Sequence, residues 1–244
     1  MRLWYKAGMV TDTHAAAEFY GTPTGAMAAH LLRRRLAGMW PRLDGMSVLG
    51  VGYPAPFLRL WRGQAERTVA VTPAQIGATR WPPSAANLVC TAEETALPFA
   101  DLSFDRVLLV HGLEVAESVR PMLREVWRVL RDDGRLLVVA PNRTGLWAHL
   151  DSTPFGQGQP YSSGQIERLL ADALFRVQRR DTALYVPPSR RRLVLRGAGM
   201  WEAAGRRVAP RLAGVTLTEA SKDVYAAVPS TGKRLRRLVF AEAG

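Results

Sequence analysis

A single cysteine, Cys90, occurs in the 244 residues. This excludes an internal disulfide framework and a multi-cysteine zinc site, and it suits a reducing compartment. The four histidines, His14, His30, His111 and His149, are far apart and show no ligand spacing, so no metal site is expected. No window reaches the roughly 18–20 uninterrupted apolar residues that a membrane span needs. The opening residues have no long apolar core and carry Asp12 and Glu18, which is unlike a secretory leader. A soluble, cytoplasmic protein is the expectation. Internal repeats and low-complexity linkers are also lacking, and the length fits one sizeable α/β domain over 1–244.

What is present is a core-forming composition, 48% hydrophobic and 22% charged. The formal charge of +12 is unevenly placed. From Arg176 onward there are 15 Lys and Arg against 5 Asp and Glu, while the first 175 residues carry 18 against 16. A basic end of this kind attracts an acidic protein, nucleic acid or anionic lipid, or it is a solvated, arginine-rich surface. Its clusters are Arg190–Arg192, Arg206–Arg207 and the run from Lys233 to Arg237.

Apolar runs alternate with helical patterns. Thr24–Met39 is helical in composition and is ended by Gly38 and Pro41. Strands are predicted at Ser47–Gly50, Arg67–Val71, Asn87–Thr91, Arg106–Val110 and Arg135–Ala140, with a helix over Pro56–Gln64. The clearest helix is Ala116–Arg131, where Val119, Met122, Leu123, Val126, Val129 and Leu130 recur at spacings of three and four. The strand–helix–strand spacing predicts parallel crossovers and a sheet covered on both faces. Residues 142–161 are loop-rich and read as a lid, with Trp147, Phe155 and Tyr161 anchoring it or shaping a pocket. A helix over Ser162–Leu174 follows, opened by a Ser162/Gln165 capping box. Phe175–Val186 and Val215–Tyr225 are two closing strands, and Arg190–Pro210 between them has a helical stripe.

Three blocks carry a family resemblance: SVLGVGYP at Ser47–Pro54, AEETALPFADLSFDRVLLVHGLE at Ala92–Glu114, and LREVWRVLRDDGRLLVVAPN at Leu123–Asn142. In this order the chain resembles class I S-adenosylmethionine-dependent methyltransferases, the type 11 group. The resemblance implies an α/β, Rossmann-like three-layer sandwich with a mostly parallel seven-stranded sheet and an antiparallel C-terminal hairpin. It also implies an organisation into a helical cap (1–44), a cofactor-binding core (45–142) and a region of lid, closing strands and basic end (143–244). S-adenosylmethionine is the implied cofactor, methyl transfer to a small or lipid-like acceptor the implied reaction. Around the strand ends it points to Gly50, Gly52, Tyr53, Thr72, Glu93, Glu94 and His111 as cofactor-binding residues.

The resemblance is degenerate at the first loop. Gly50 stands where the family places an acid, and Pro54 where it places a glycine. The second strand ends at Thr72 rather than at a carboxylate. One missing charge-assisted hydrogen bond costs on the order of 1.5–3 kcal/mol of affinity. Glu93 and Glu94 are both candidates against the adenine amino group. His111 is the candidate base, since it follows a buried strand at the ligand-binding edge and is of the residue type used most often for proton transfer. Glu114 either orients it or caps the next helix. The degeneracy leaves two alternatives open: a catalytically inactive binding or regulatory protein that works through its basic end, and an RNA-modifying methyltransferase.

Overall fold

The computed structural model describes residues 13–73 and 80–223. Seven strands form one sheet: β1 Ser47–Gly52, β2 Arg67–Pro73, β3 Val89–Ala92, β4 Phe104–Val110, β5 Leu130–Pro141, β6 Phe175–Ala183 and β7 Val215–Lys222. Their order is β3-β2-β1-β4-β5-β7-β6. The first five are parallel and β7 runs antiparallel to both β5 and β6. This is the expected architecture, closing hairpin included. The basic run from Lys233 to Arg237 and the side chain of His14 lie outside the described residues.

Alternate residues of the central strands feed two separate cores, which explains their unbroken apolar runs. Val48, Leu108, Val110, Leu137 and Val139 point to a core shared with Trp61, Trp147 and helix α2 (Pro23–Met39). Helix α1 (Thr13–Gly21) packs against α2 on this side. Leu49, Val51, Val107, Leu109 and Val138 point the other way. There they meet α4 (Val119–Val129) and α5 (Ser163–Asp172), whose capping box at Ser162 and Gln165 is formed.

Three expectations are revised. The helix after β1, α3, is only Ala55–Leu58, because the chain then turns to bury Trp61, whose indole donates to the Trp40 carbonyl. The helix expected over Ala116–Arg131 does not reach Arg131. Instead α4 ends at Val129, and Leu130 pairs with Phe104 to begin a twelve-residue β5. The stripe between β6 and β7 divides into α6 (Arg192–Arg196) and α7 (Ala198–Val208), and its Leu193, Met200 and Val208 face solvent.

The most recognisable sequence blocks do structural work. Arg128 donates to the carbonyls of Leu97 and Phe99 and to the carboxylates of Glu125 and Asp101. Glu125 in turn accepts the Leu97 amide at 2.9 Å. Asp105 accepts the Ser47 amide at 2.8 Å and pairs with Arg131 at 2.7 Å, so it ties β1, β4 and β5 together.

Candidate functional site

β1 and β4 are neighbours whose crossovers leave in opposite directions, so a crevice opens at their C-terminal ends. Gly52 ends β1 with φ of 94°. A Cβ there would collide with the Val110 carbonyl, so the bend and the close approach both require glycine. The Tyr53 amide donates to that same carbonyl at 2.8 Å and locks the two strand ends together.

His111 follows β4 in the left-handed region, φ 52°, a conformation that a non-glycine residue rarely adopts. Its buried ring bridges two partners. Nδ1 lies 3.0 Å from Glu114 Oε1, and Nε2 lies 2.6 Å from the Tyr20 hydroxyl. A carboxylate accepts only, so Glu114 keeps the proton on Nδ1 and leaves Nε2 to accept from the phenol. Burial, then the charge of Glu114, then Tyr53, hold the Tyr20 phenol well above its ordinary pKa, so it stays a donor. Glu114 is thus the orienting residue. Its Oε2 is buried without a partner.

An aromatic shell surrounds this chain of three groups. The Tyr20 ring stacks on Tyr53 at 5.8 Å and meets Phe57 edge-on at 5.6 Å. Phe155 lies 4.7 Å from the His111 ring. Residues 142–161 hold Phe155 there: the Trp147 indole donates to the Val186 carbonyl, Gln159 donates to the Glu114 carbonyl, and Gly158 packs on that carbonyl with no room for a Cβ. Trp147 and Phe155 are therefore buried anchors of this segment.

The structure gathers some of the expected site residues and disperses others. Gly50, Gly52, Tyr53, Thr72 and His111 sit at or near the ends of β1, β2 and β4. Glu93 is exposed. Glu94 is buried and accepts the Ser118 amide at 3.4 Å before α4, and burial raises its pKa. His30 and His149 are exposed. Among the described residues no three His, Cys, Asp or Glu gather as metal ligands. Tyr20 was not among the expected site residues. Its partner is 91 residues away, and no local pattern announces such a contact.

The fold is that of the class I S-adenosylmethionine-dependent methyltransferases. Residues 21–138 match the family model described as a methyltransferase domain. Uncharacterized proteins of Mycobacterium tuberculosis and Mycobacterium bovis are 34% identical over 108 residues, which is 41% of this chain. The match spans 38% of the length of those relatives. Solved S-adenosylmethionine-dependent methyltransferases from Aquifex aeolicus and Archaeoglobus fulgidus are similar in fold at 16% identity. The first superposes with a TM-score of 0.58 over 87% of this chain and 99% of that one. The second superposes with 0.56 over 84% and 96%. The [4+2]-cyclase SpnF shares the fold too, with a TM-score of 0.54 at 17% identity over 78% and 80%.

S-adenosylmethionine is the cofactor of the solved Aquifex aeolicus and Archaeoglobus fulgidus proteins. In the described conformation the residues present do not fit it. A side chain at Gly50 would meet Pro54 Cβ at 2.5 Å and Leu58 Cδ1 at 2.7 Å, so the place of the family's acid is filled. Pro54 and Pro56 have no N–H to offer, and the amides of Phe57 and Leu58 are bonded to the Pro54 carbonyl. The cavity between Tyr53, Thr72, Trp81 and Val89 is about 70 Å³, whereas small-ligand pockets measure roughly 300 Å³ or more. A larger open cleft of about 620 Å³ lies beside Tyr53, but it is lined by Arg59 and Arg62 and, among the described residues, by no carboxylate. It disfavours a cationic sulfonium.

Proposed function

We propose that the chain is a methyltransferase in a closed conformation, acting on a small or lipid-like acceptor that bears a hydroxyl or similar protic group. The observation that carries this reading is the Tyr20 hydroxyl held 2.6 Å from His111 Nε2. The phenol stands where an acceptor hydroxyl would stand. With α1 displaced, the His111–Glu114 pair receives the acceptor's proton on Nε2, and Glu114 compensates the charge that develops on the ring. Phe155, Trp147 and Phe57 exclude water from that transfer. Moving Tyr20, and with it the stacked Tyr53, also frees space beside Gly52.

A specific observation favours a second reading. Pro54 and Leu58 fill the space beside Gly50, and Thr72 replaces an acid, which is what a catalytically silent descendant would carry. The SpnF likeness adds that this fold does not by itself specify methyl transfer.

Titration calorimetry separates the two, using S-adenosylmethionine and S-adenosylhomocysteine with the wild type and with Tyr20→Ala. The methyltransferase reading expects saturable heat that is stronger in the variant. Absence of saturable heat from both proteins up to millimolar ligand would leave the silent reading standing.

A further inference from the structure

The excursion between β6 and β7 carries chemistry that the crevice does not use. From residue 187 to 213 it holds the triplet Arg190–Arg192, Arg196, the pair Arg206–Arg207, Arg211, and one acid, Glu202. All seven arginines are exposed, and none forms an ion pair among the described residues. Glu202 does not offset them at the surface. It is buried, accepts the Tyr185 amide at 2.6 Å, and lies 3.8 Å from Arg35 of α2.

Large apolar side chains stand among these charges. Leu193 is 83% exposed, Met200 76%, Val208 83% and Trp201 46%. Met200 and Trp201 meet at the α6–α7 junction, where a Cβ at Gly197 would lie 3.8 Å from both Met200 Cε and Trp201 Cδ1. Val208 follows Trp201 by two helical turns and shares its face of α7. The apolar surface continues past α7. Leu212 is 57% exposed and Leu146 is 59% exposed. Their neighbours Arg211 and Thr144 are joined by a 2.6 Å hydrogen bond, and Gly145 packs on Ala213 and Gly214.

Arginines in water need no aliphatic neighbours, and a nucleic-acid backbone recruits arginine with stacking aromatics rather than Leu, Met and Val. A basic helix with exposed Leu, Met and Trp matches the chemistry of an anionic bilayer interface. The geometry points to α6, α7 and the following turn as a docking surface for an anionic phospholipid membrane. No helix among the described residues is long and apolar enough to cross a membrane.

A groove of about 400 Å³ meets this excursion at Arg190, lined by Phe19, Leu150 and Pro154 and also by the carboxylates of Glu18 and Asp151. Phe19 meets Phe155 at 6.1 Å, and Phe155 meets His111 at 4.7 Å. A lipid-like acceptor drawn from the bilayer would enter here. That last step rests on the proposed function, whereas the docking does not.

Vesicle flotation tests the docking. The purified chain is floated with phosphatidylcholine vesicles and with vesicles holding about 30 mol % phosphatidylglycerol, at low salt and at about 0.5 M salt. Binding is expected only to the anionic vesicles, and it weakens with salt. Arg206→Glu with Arg207→Glu lowers it by about fivefold or more per arginine. Leu193→Ser, Met200→Ser and Val208→Ser together lower it about tenfold or more. These side chains are exposed, so both variants are expected to melt like the wild type. Neutralising Lys233, Arg234, Arg236 and Arg237 leaves binding in place.

No vesicle binding, equal binding by the apolar variant, or loss only on neutralising the 233–237 run overturns the proposal. So does preference for RNA or an acidic protein over the anionic vesicles. Flotation needs no cofactor. Vesicle binding without calorimetric heat therefore sinks the methyltransferase reading alone, and the reverse result sinks the docking alone.

Discussion

The Tyr20 hydroxyl donates to His111 Nε2 across 2.6 Å and fastens α1 onto the end of β4. Tyr20→Phe leaves a buried ring nitrogen without its partner and is expected to cost about 1–3 kcal/mol of unfolding free energy. Tyr20→Ala also removes the ring that stacks on Tyr53 and is expected to cost about 3–5 kcal/mol. Urea titration of the three proteins gives both values.

The same phenol sets a pH dependence. Burial holds its folded-state pKa above the ordinary value of 10.0, so the unfolded chain loses this proton first as pH rises. Stability from Tyr20 is therefore complete below pH 10 and declines as pH climbs from 10 toward the folded-state pKa. Tyr53 and Tyr161 are shifted the same way by burial and add to the decline. Urea midpoints at about pH 9 and about pH 11 are expected to differ less in Tyr20→Phe than in the wild type.

Restoring the family's acid does not restore a site by itself. Gly50→Asp drives a side chain into Pro54 and Leu58 and is expected to destabilise by about 2–4 kcal/mol. Pro54→Gly removes the main obstacle. A double-mutant cycle is expected to return at least about 1 kcal/mol of coupling between the two positions. Additive losses would show that Pro54 is not what excludes the acid.

Arg128 is expected to be the most sensitive residue of α4. Its guanidinium serves two carbonyls and two carboxylates, so Arg128→Ala strands Glu125 and frees the 97–101 turn, at about 2–4 kcal/mol. Arg128→Lys keeps the charge but cannot span the same partners, and it recovers only part of the loss. Chemical unfolding measures the loss, and proteolysis near residues 97–101 locates it.

Much of the fold was legible because burial on both faces writes itself as unbroken apolar strings. RVLLV at Arg106–Val110 and RLLVVA at Arg135–Ala140 fall within β4 and β5. Ends were less legible where tertiary contacts override pattern. Leu130 fits the helical stripe of α4, yet it pairs with Phe104 in the sheet. Gly197 divides what reads as one amphipathic segment. At the site, Glu114 lies three residues from His111, so their pairing was within local reach, while the Tyr20 contact required the folded chain.

The clamp from Arg128 to the Leu97–Phe99 turn, with Asp105 bridging Ser47 and Arg131, has an evolutionary corollary. The letters by which this lineage is recognised are joinery rather than tools. Pressure to fold is enough to preserve them, and a member that abandoned its ancestral reaction would still wear the family face.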